Sequence, residues 1–289
     1  MKIHAIKTGT VAVKAKQQEG EGTGFRRFIN TLLDKEWTAP LPIYTWVIEH
    51  PEGLIVVDTG ETALAAQPGY FPSWHPYFKF GVKEWVHPEE EIGPQLRQIG
   101  ISPKDVRWVL MTHLHTDHAG GLAHFPGSEI LVNQTEYEIA RGLSGRLRGY
   151  PNQHWPDWFS PRLVKFTSTP FGPFPQSLTL TRAGDVHLVP TPGHTPGHLS
   201  VVLEDIGQAY FFAGDASYTQ QIMLKQKVDG VAPDDASAKE TLKHVLQYVE
   251  QKNAIYLPSH DPDAGTRLKS VQALKKKNFS VAAKAGALN

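Results

Sequence analysis

Residues 112–121 read THLHTDHAGG, and four side chains that could bind a metal fall within six of these positions. They are His113, His115, Asp117 and His118. Neutral imidazole and carboxylate groups are ligands of borderline divalent ions, and this spacing can serve two ions if the backbone turns between His115 and Asp117. The segment follows an apolar run directly, so it predicts a metal site at the end of a strand.

Five short apolar or aromatic runs are predicted to be buried strands, and each leads into a His or an Asp. The runs span residues 54–57, 106–111, 186–189, 210–213 and 254–257. Four groups cannot complete the coordination of two ions, so further ligands are expected where later runs end. The candidates are His194, Asp215 and His260, with His198 close enough in sequence to compete with His194.

Predicted helices alternate with these strands. One spans residues 89–99, and another spans residues 236–252, where apolar side chains recur at helical spacing behind a capping Asp234 or Asp235. Strands that alternate with helices predict an α/β fold in which the site is built from loops at the strand ends.

A single domain over residues 1–289 is expected, because no repeat and no linker rich in Gly and Ser divides the chain. Three stretches are too long to be simple connections and are interpreted as insertions at residues 18–40, 66–88 and 141–176. Aromatic residues in these insertions are candidates for the wall of a substrate pocket, although such clusters equally form core or dimer contacts. The candidates are Phe25, Phe28, Trp155 and Trp158.

The composition narrows the range of functions. The 289 residues include no Cys and 14 His, and 29 Lys and Arg balance 29 Asp and Glu. Without thiolates, any metal must be held by nitrogen and oxygen. A balanced charge offers no field that gathers a polyanion, so nucleic acid is not expected as a partner. Neither an apolar run of about 18 residues nor a signal-like N-terminal stretch occurs, so no membrane association is expected and a cytoplasmic location is predicted.

Together with four motifs elsewhere in the sequence, the pattern H-x-H-x-D-H resembles the motifs of the metallo-β-lactamase superfamily. A VDTG segment at 57–60 precedes it, and TPGHTPGH at 191–198, GD at 214–215 and SH at 259–260 follow it. The resemblance covers about residues 43–260 and implies an αββα sandwich with two metal ions at one edge of its sheets.

The resemblance also implies a role for each candidate ligand. His113, His115 and His194 would hold the first ion, and Asp117, His118 and His260 the second. Asp215 would bridge the two ions. Asp58 matches an acid that orients the ligand loops, and His198 is then expected to support the site rather than bind metal.

Residues 214–219 read GDASYT, and a Tyr three positions after the bridging Asp is similar to the N-acyl homoserine lactonases, the quorum-quenching branch. This similarity implies hydrolysis of a lactone ring by a hydroxide that bridges the ions. Tyr218 would donate a hydrogen bond to the developing oxyanion, and Asp117 would protonate the leaving alkoxide. Zinc is the preferred ion, and the same ligands accept iron, cobalt or manganese.

Other functions remain open at this point. A thioesterase of the glyoxalase II type, a phosphodiesterase or an esterase could use the same metal core, and a non-hydrolytic dimetal protein is a further alternative. The apolar patch at residues 25–37 is compatible with a homodimer. The basic segment from Gly265 onwards is predicted to be a solvated face.

Overall fold

Two β-sheets lie at the centre of the computed structural model, which describes residues 1–271. In chain order the strands are Lys2–Val13 (β1), Leu41–His50 (β2), Gly53–Val57 (β3), Val82–Trp85 (β4), Val106–Leu110 (β5), Glu129–Asn133 (β6), Arg162–Val164 (β7), Leu178–Thr179 (β8), Val186–Pro190 (β9), Leu199–Asp205 (β10), Gln208–Gly214 (β11) and Ile255–Pro258 (β12). One sheet has the order β4-β1-β2-β3-β5-β6-β7, and the other has the order β12-β11-β10-β9-β8.

Helices lie between many of the strands in the chain order. They are Ala15–Gln18 (α1), Gly24–Leu32 (α2), Pro76–Phe80 (α3), Ile92–Gln98 (α4), Thr116–Ala119 (α5), Gln134–Ala140 (α6), Gly142–Leu147 (α7), Gln220–Leu224 (α8) and Asp235–Lys252 (α9), and residues 264–271 are also helical. None of the helices within residues 1–271 is both long and apolar enough to cross a membrane.

Apolar side chains from the two sheets pack face to face, and the rings of Trp46 and Phe212 lie 5.8 Å apart across this interface. A second cluster buries Leu96 of α4 against the first sheet, and a third buries Leu242 and Val245 of α9 against the second sheet. The layers therefore follow the order helix, sheet, sheet, helix. The predicted αββα sandwich is confirmed.

The directions of the strands explain why the candidate ligands meet. Strand β3 runs parallel to β5, and β11 runs parallel to β12. Strand β9 is antiparallel to β10, which is antiparallel to β11, so β9 and β11 point the same way. Because the carboxyl ends of parallel strands lie at the same edge of a sheet, the loops that follow these strands are brought together there.

The predicted elements agree with the structure at the level of type and approximate bounds. All five apolar runs lie in strands, and the long helix begins behind Asp234, whose side chain accepts hydrogen bonds from the backbone N–H groups of Ala236 and Ser237. The helix predicted over residues 89–99 is shorter, because residues 88–90 form a separate 3₁₀ turn before α4.

The three insertions contain secondary structure of their own. Residues 18–40 include α2, residues 66–88 include α3 and the edge strand β4, and residues 141–176 include α7 and β7. Since both sheets share one core, we propose that the chain is one domain with these segments as insertions. The basic segment is described only as far as residue 271, where Arg267 is half-buried and pairs with Asp261 at 2.7 Å and Lys269 is exposed; residues 272–289 lie outside the described part.

Candidate metal centre and adjoining cavity

Four strand ends deliver the candidate ligands to one edge of the sandwich. The loop after β5 and the short helix α5 carry the H-x-H-x-D-H segment, and the other candidates lie in the loops that follow β9, β11 and β12. Their ligand atoms form three overlapping groups in which all atoms lie within 4.8 Å of one another. The groups are His113, His115 and His194; His113, His118 and Asp215; and Asp117, His118 and His260.

Asp215 lies between the two sets of ligands. Its Oδ2 is 3.6 Å from Nε2 of His194, whereas its Oδ1 is 3.4 Å from Nε2 of His118 and 3.3 Å from Nε2 of His260. A carboxylate whose two oxygens face different groups of imidazoles has the placement that a bridging ligand requires.

Three buried atoms at this centre support a fit to divalent ions. Nε2 of His113, Nε2 of His118 and Oδ1 of Asp215 have no hydrogen-bond partner. Each such buried polar atom costs on the order of 1–3 kcal/mol if it stays unsatisfied. The donor set of imidazole nitrogen and carboxylate oxygen suits Zn²⁺ and related ions, so the residues present fit the predicted metals.

Other polar groups fix the orientation of the imidazoles. Asp58 has a left-handed backbone with φ 59°, and its carboxylate accepts hydrogen bonds from the backbone N–H of Thr112 at 2.7 Å and from Nδ1 of His118 at 2.8 Å. The Nδ1 atom of His260 lies 2.9 Å from the carbonyl oxygen of Pro42. In both rings the hydrogen bond to Nδ1 leaves Nε2 directed at the centre, which is the usual way that metal ligands are oriented.

Asp229 is an orienting residue that the sequence did not indicate. Its Oδ2 accepts from Nδ1 of His194 at 2.8 Å, and its Oδ1 accepts from the backbone N–H groups of Val231 and Ala232. Asp229 is a single acid in an ordinary loop, so no spacing pattern distinguishes it.

Glu136 is a second residue that no sequence pattern indicates, for the same reason. Its buried carboxylate accepts from the backbone N–H of Leu114 at 3.0 Å and from the hydroxyl of Thr195 at 2.7 Å. It therefore connects the loop after β5 to the loop after β9, and both loops carry candidate ligands.

His198 lies beside the centre with both of its ring nitrogens engaged. Nε2 accepts from the backbone N–H of Asp215 at 3.0 Å, and Nδ1 is 2.8 Å from the hydroxyl of Thr191. This leaves His198 no nitrogen for a metal. Of the two histidines in TPGHTPGH, His194 is the one whose Nε2 faces the ligand group.

The protonation states differ across the cluster. Burial, reinforced by neighbouring imidazoles, lowers the pKa of His113 well below its usual value and that of His115 to about 3, so both stay neutral as metal ligands require. Burial also opposes the charge on His118, but the carboxylates of Asp215 and Asp58 outweigh it and raise the pKa of His118. Conversely, His260 and His118 overcome the effect of burial and hold the pKa of Asp215 well below its usual range.

A cavity of about 390 Å³ opens from the centre. Asp117, Asp215 and His260 lie at its polar end, and Phe25 and Phe28 contribute to its apolar wall. Glu84 is another lining residue, and burial raises its pKa well above the usual value. Most of the wall away from the centre is therefore uncharged at neutral pH.

Trp155 and Trp158 do not line this cavity, although both are candidates for its wall on the sequence alone. The ring of Trp155 packs against Tyr137 and Phe159, at 6.0 and 5.1 Å, on the outer side of the first sheet. Trp158 is 40% exposed. Trp155 is thus held by the outer cluster around α6, and neither tryptophan reaches the cavity.

Tyr218 lies at the boundary between the centre and the cavity. Its ring stacks on that of His260 with centroids 5.5 Å apart, and its hydroxyl oxygen accepts from Nε2 of Gln17 at 2.7 Å. Burial, with Tyr77 and Asp215 nearby, raises the pKa of Tyr218 well above its usual value. The phenol is therefore protonated over the working range of pH and can act as a hydrogen-bond donor.

The chain is similar to known proteins over most of its length. The family model described as the metallo-beta-lactamase superfamily matches residues 38–260. The N-acyl homoserine lactonase of Bacillus thuringiensis is 28% identical over 236 residues, which cover 81% of this chain and 86% of that protein. The N-acyl homoserine lactonase of Rhizobium radiobacter is 25% identical over 287 residues, which cover 93% of this chain and 96% of that protein.

Solved structures show the same fold. A mutant of the B. thuringiensis protein AiiA, with N-decanoyl-L-homoserine bound at its active site, superposes with a TM-score of 0.71 at 24% identity and covers 90% of this chain and 93% of that chain. An N-acyl homoserine lactone hydrolase with the product N-hexanoyl-L-homoserine at its catalytic metal centre superposes with a TM-score of 0.70 at 23% identity, with the same coverage.

Proposed function

The chain belongs to the metallo-β-lactamase superfamily of hydrolases, and we propose that it opens the lactone ring of N-acyl homoserine lactones with two divalent metal ions. The observation that carries this proposal is the position of Tyr218, which lies where the cluster of His and Asp meets an apolar cavity. Similarity to lactonases over most of the chain supports the same substrate class.

In this proposal the ligand groups divide as the resemblance implies. His113, His115 and His194 hold one ion, and Asp117, His118 and His260 hold the other, with Asp215 between them. We propose zinc as the resident metal. When bound, such ions act as Lewis acids and lower the pKa of water from 15.7 to about 7, which makes a nucleophile available at neutral pH.

The chain's own groups stabilise charge and move protons around the reacting ester. The hydroxyl of Tyr218 donates a hydrogen bond to the lactone carbonyl oxygen as negative charge develops there, and one such donor typically contributes about 3–4 kcal/mol. Although burial opposes it, the imidazoles of His118 and His260 lower the pKa of Asp117 to about 2, so its carboxylate is ionised and can accept a proton. We propose that Asp117 takes this proton from the attacking water and passes it to the ring oxygen as the ester bond breaks.

The lining of the cavity favours an uncharged acyl chain over the substrates of related hydrolases. A phosphodiester or a glutathione thioester carries negative charge and requires cationic side chains for recognition. Among the described residues that line the cavity, Arg148 is the single Lys or Arg. Apolar side chains such as Phe28 and Val82 suit an alkyl chain instead.

The proposal is tested by assaying the purified, metal-loaded protein on N-butanoyl, N-hexanoyl and N-decanoyl homoserine lactone. A glutathione thioester and bis(p-nitrophenyl) phosphate serve as the alternative substrates. We expect kcat/KM for at least one lactone to exceed kcat/KM for both alternatives by about 100-fold or more. A pocket that fits one substrate typically discriminates against others by about this factor. Inert lactones beside a cleaved thioester or phosphodiester would contradict the proposal.

Two expectations about the whole molecule accompany this function. Phe25 and Leu33 of the patch at residues 25–37 are 76% and 74% exposed, and we propose that this apolar surface mediates a homodimer. Light scattering would check it, since a Phe25→Asp, Leu33→Asp variant should then be a monomer.

The cytoplasmic location stays a prediction that cell fractionation would check.

A further inference from the structure

Three polar side chains from distant parts of the chain meet in the wall of the cavity. Gln17 of α1 is 1% exposed, and its Nε2 lies 2.8 Å from the hydroxyl of Tyr77 and 2.7 Å from the hydroxyl of Tyr218. All three residues line the cavity. One amide group is thus shared between two phenols that are 141 positions apart in sequence.

The direction of these hydrogen bonds follows from the placement of the Gln17 amide, whose Nε2 lies between the two phenols while its Oε1 is buried without a partner. An amide NH₂ has two hydrogens and gives one to each phenol oxygen, so both tyrosines are acceptors in this contact. Each phenol then keeps its own hydrogen for another partner. Within residues 1–271, neither hydroxyl has an acceptor for that hydrogen, so the pair presents two O–H donors to the cavity.

The two phenol rings have different neighbours. The ring of Tyr218 contacts the candidate ligands His194 and His260, at 6.4 and 5.5 Å. Tyr77 belongs to the insertion at residues 66–88, whose residues Phe78 and Val82 also line the cavity. The hydroxyl of Tyr218 therefore lies beside the candidate ligands, and the hydroxyl of Tyr77 lies on the side of the shared amide that the insertion forms.

An N-acyl homoserine lactone carries two carbonyl groups, so it offers one hydrogen-bond acceptor for each of the two phenols. The ring carbonyl is attacked, and the amide carbonyl stands a few bonds away at the start of the acyl chain. A buried donor left without an acceptor is costly, so two fixed donors favour a ligand with two acceptors at matching positions.

We propose that Tyr77 binds the amide carbonyl of the substrate while Tyr218 binds the ring carbonyl, and that Gln17 is the positioning residue that holds both phenols. This inference rests on the proposed lactonase function and adds the group that recognises the acyl amide. It assigns Tyr77 to substrate binding, and it assigns Gln17 a role that acts only through the two tyrosines.

The test compares two lactones that differ in the amide. N-hexanoyl homoserine lactone has the second carbonyl, and γ-decalactone has an alkyl chain on its ring and no amide. For Tyr77→Phe we expect kcat/KM on the acyl lactone to fall about 10-fold, mainly through KM, because a hydrogen bond formed equally in ground and transition states is lost. Turnover of γ-decalactone should change less than about 2-fold.

The other variants separate the roles. Tyr218→Phe should lower kcat on both lactones by about 100-fold, because its donor acts on the ring carbonyl. Gln17→Met should slow both lactones and should also raise KM for the acyl lactone alone. Tyr248→Phe is the matched control, since the hydroxyl of Tyr248 donates to Glu204 within the α9 side of the sandwich and should leave both reactions unchanged.

Calorimetry with the ring-opened N-hexanoyl homoserine gives a readout that does not depend on turnover. Tyr77→Phe should bind it about 10-fold more weakly at unchanged metal content and Tm. Equal losses on both lactones, or no loss on either, would overturn the inference while the lactonase function stands. If the unaltered protein opens γ-decalactone but not the acyl lactone, the proposed function and this inference both fail.

Discussion

The metal centre and the cavity wall adjoin each other, yet they are built in different ways. Each candidate ligand lies in the loop that follows a core strand or in the short helix α5, and His113, His118 and His260 are almost fully buried. Much of the wall comes from α1 and the insertions, which add to a part formed by β1, and it includes residues as exposed as Phe25. The comparison indicates that the reaction type depends on the rigid sandwich, whereas the choice of substrate depends on segments added to it.

This contrast predicts that changes of the metal ligands abolish metal binding and activity, whereas changes in the wall away from Gln17 and Tyr218 shift only the substrate preference. Residues of the centre also depend on one another, because each imidazole is oriented by a partner such as Asp58 or Asp229. Wall residues outside the hydrogen-bonded group of Gln17, Tyr77 and Tyr218 act more independently, and the effects of changing them should add.

The largest effect is expected at the bridging position. Asp215→Asn removes a charge that faces both ligand groups, so metal content should fall from about two ions per chain to one or fewer and ring opening should fall by at least about 10³-fold. Elemental analysis of the purified variant measures the first quantity. Asp263→Asn, at an exposed position, is the matched control and should keep both values. Full occupancy in Asp215→Asn would remove the bridging role.

A smaller effect is expected at Asp229, which orients the candidate ligand His194. Asp229→Asn leaves His194 in place but weakens the hydrogen bond to its Nδ1, so affinity for the first ion should fall about 10–100-fold. A competition titration with a coloured chelator measures this affinity. At saturating zinc, kcat should recover to within about 3-fold. Unchanged affinity would mean that Asp229 serves only its own loop.

The smallest effect is expected in the wall. Phe28→Ala enlarges the apolar end of the cavity, so kcat/KM should fall about 10-fold for N-decanoyl homoserine lactone and less than about 2-fold for the N-butanoyl compound. Trp158→Ala, outside the cavity, should alter neither. Equal losses on both chain lengths would show that Phe28 supports the centre instead of the acyl chain, and the distinction between the two regions would weaken.

The two regions also differ in how far the sequence predicted them. Apolar runs that stop at His or Asp identified the strands, and ligand chemistry restricts which residue types can follow them. His113, Asp215 and His260 could therefore be singled out by residue type and position in the chain, and the fold brings their ligand atoms together. The αββα layers followed from the family resemblance that the same residues carry.

The residues that the sequence did not indicate share a different property. They are ordinary residue types whose roles depend on partners far away in the sequence. Gln17 contacts Tyr77 and Tyr218, which are 60 and 201 positions away, and Asp229 contacts His194, which is 35 positions away. Trp155 illustrates the opposite failure, because an aromatic residue in a long insertion suits a pocket wall and an outer core equally well. Tertiary packing decides between these outcomes, and local sequence does not encode it.

Lactone hydrolysis that depends on two metal ions is tested most directly by the rate of ring opening of N-hexanoyl homoserine lactone as zinc is returned to chelator-stripped protein. Bound zinc per chain is measured on the same samples. We expect no turnover without metal, and we expect the turnover rate to reach its maximum when bound zinc reaches about two ions per chain, the number that the two ligand groups require. Turnover that survives complete removal of metal, or no turnover at full occupancy, would contradict this expectation.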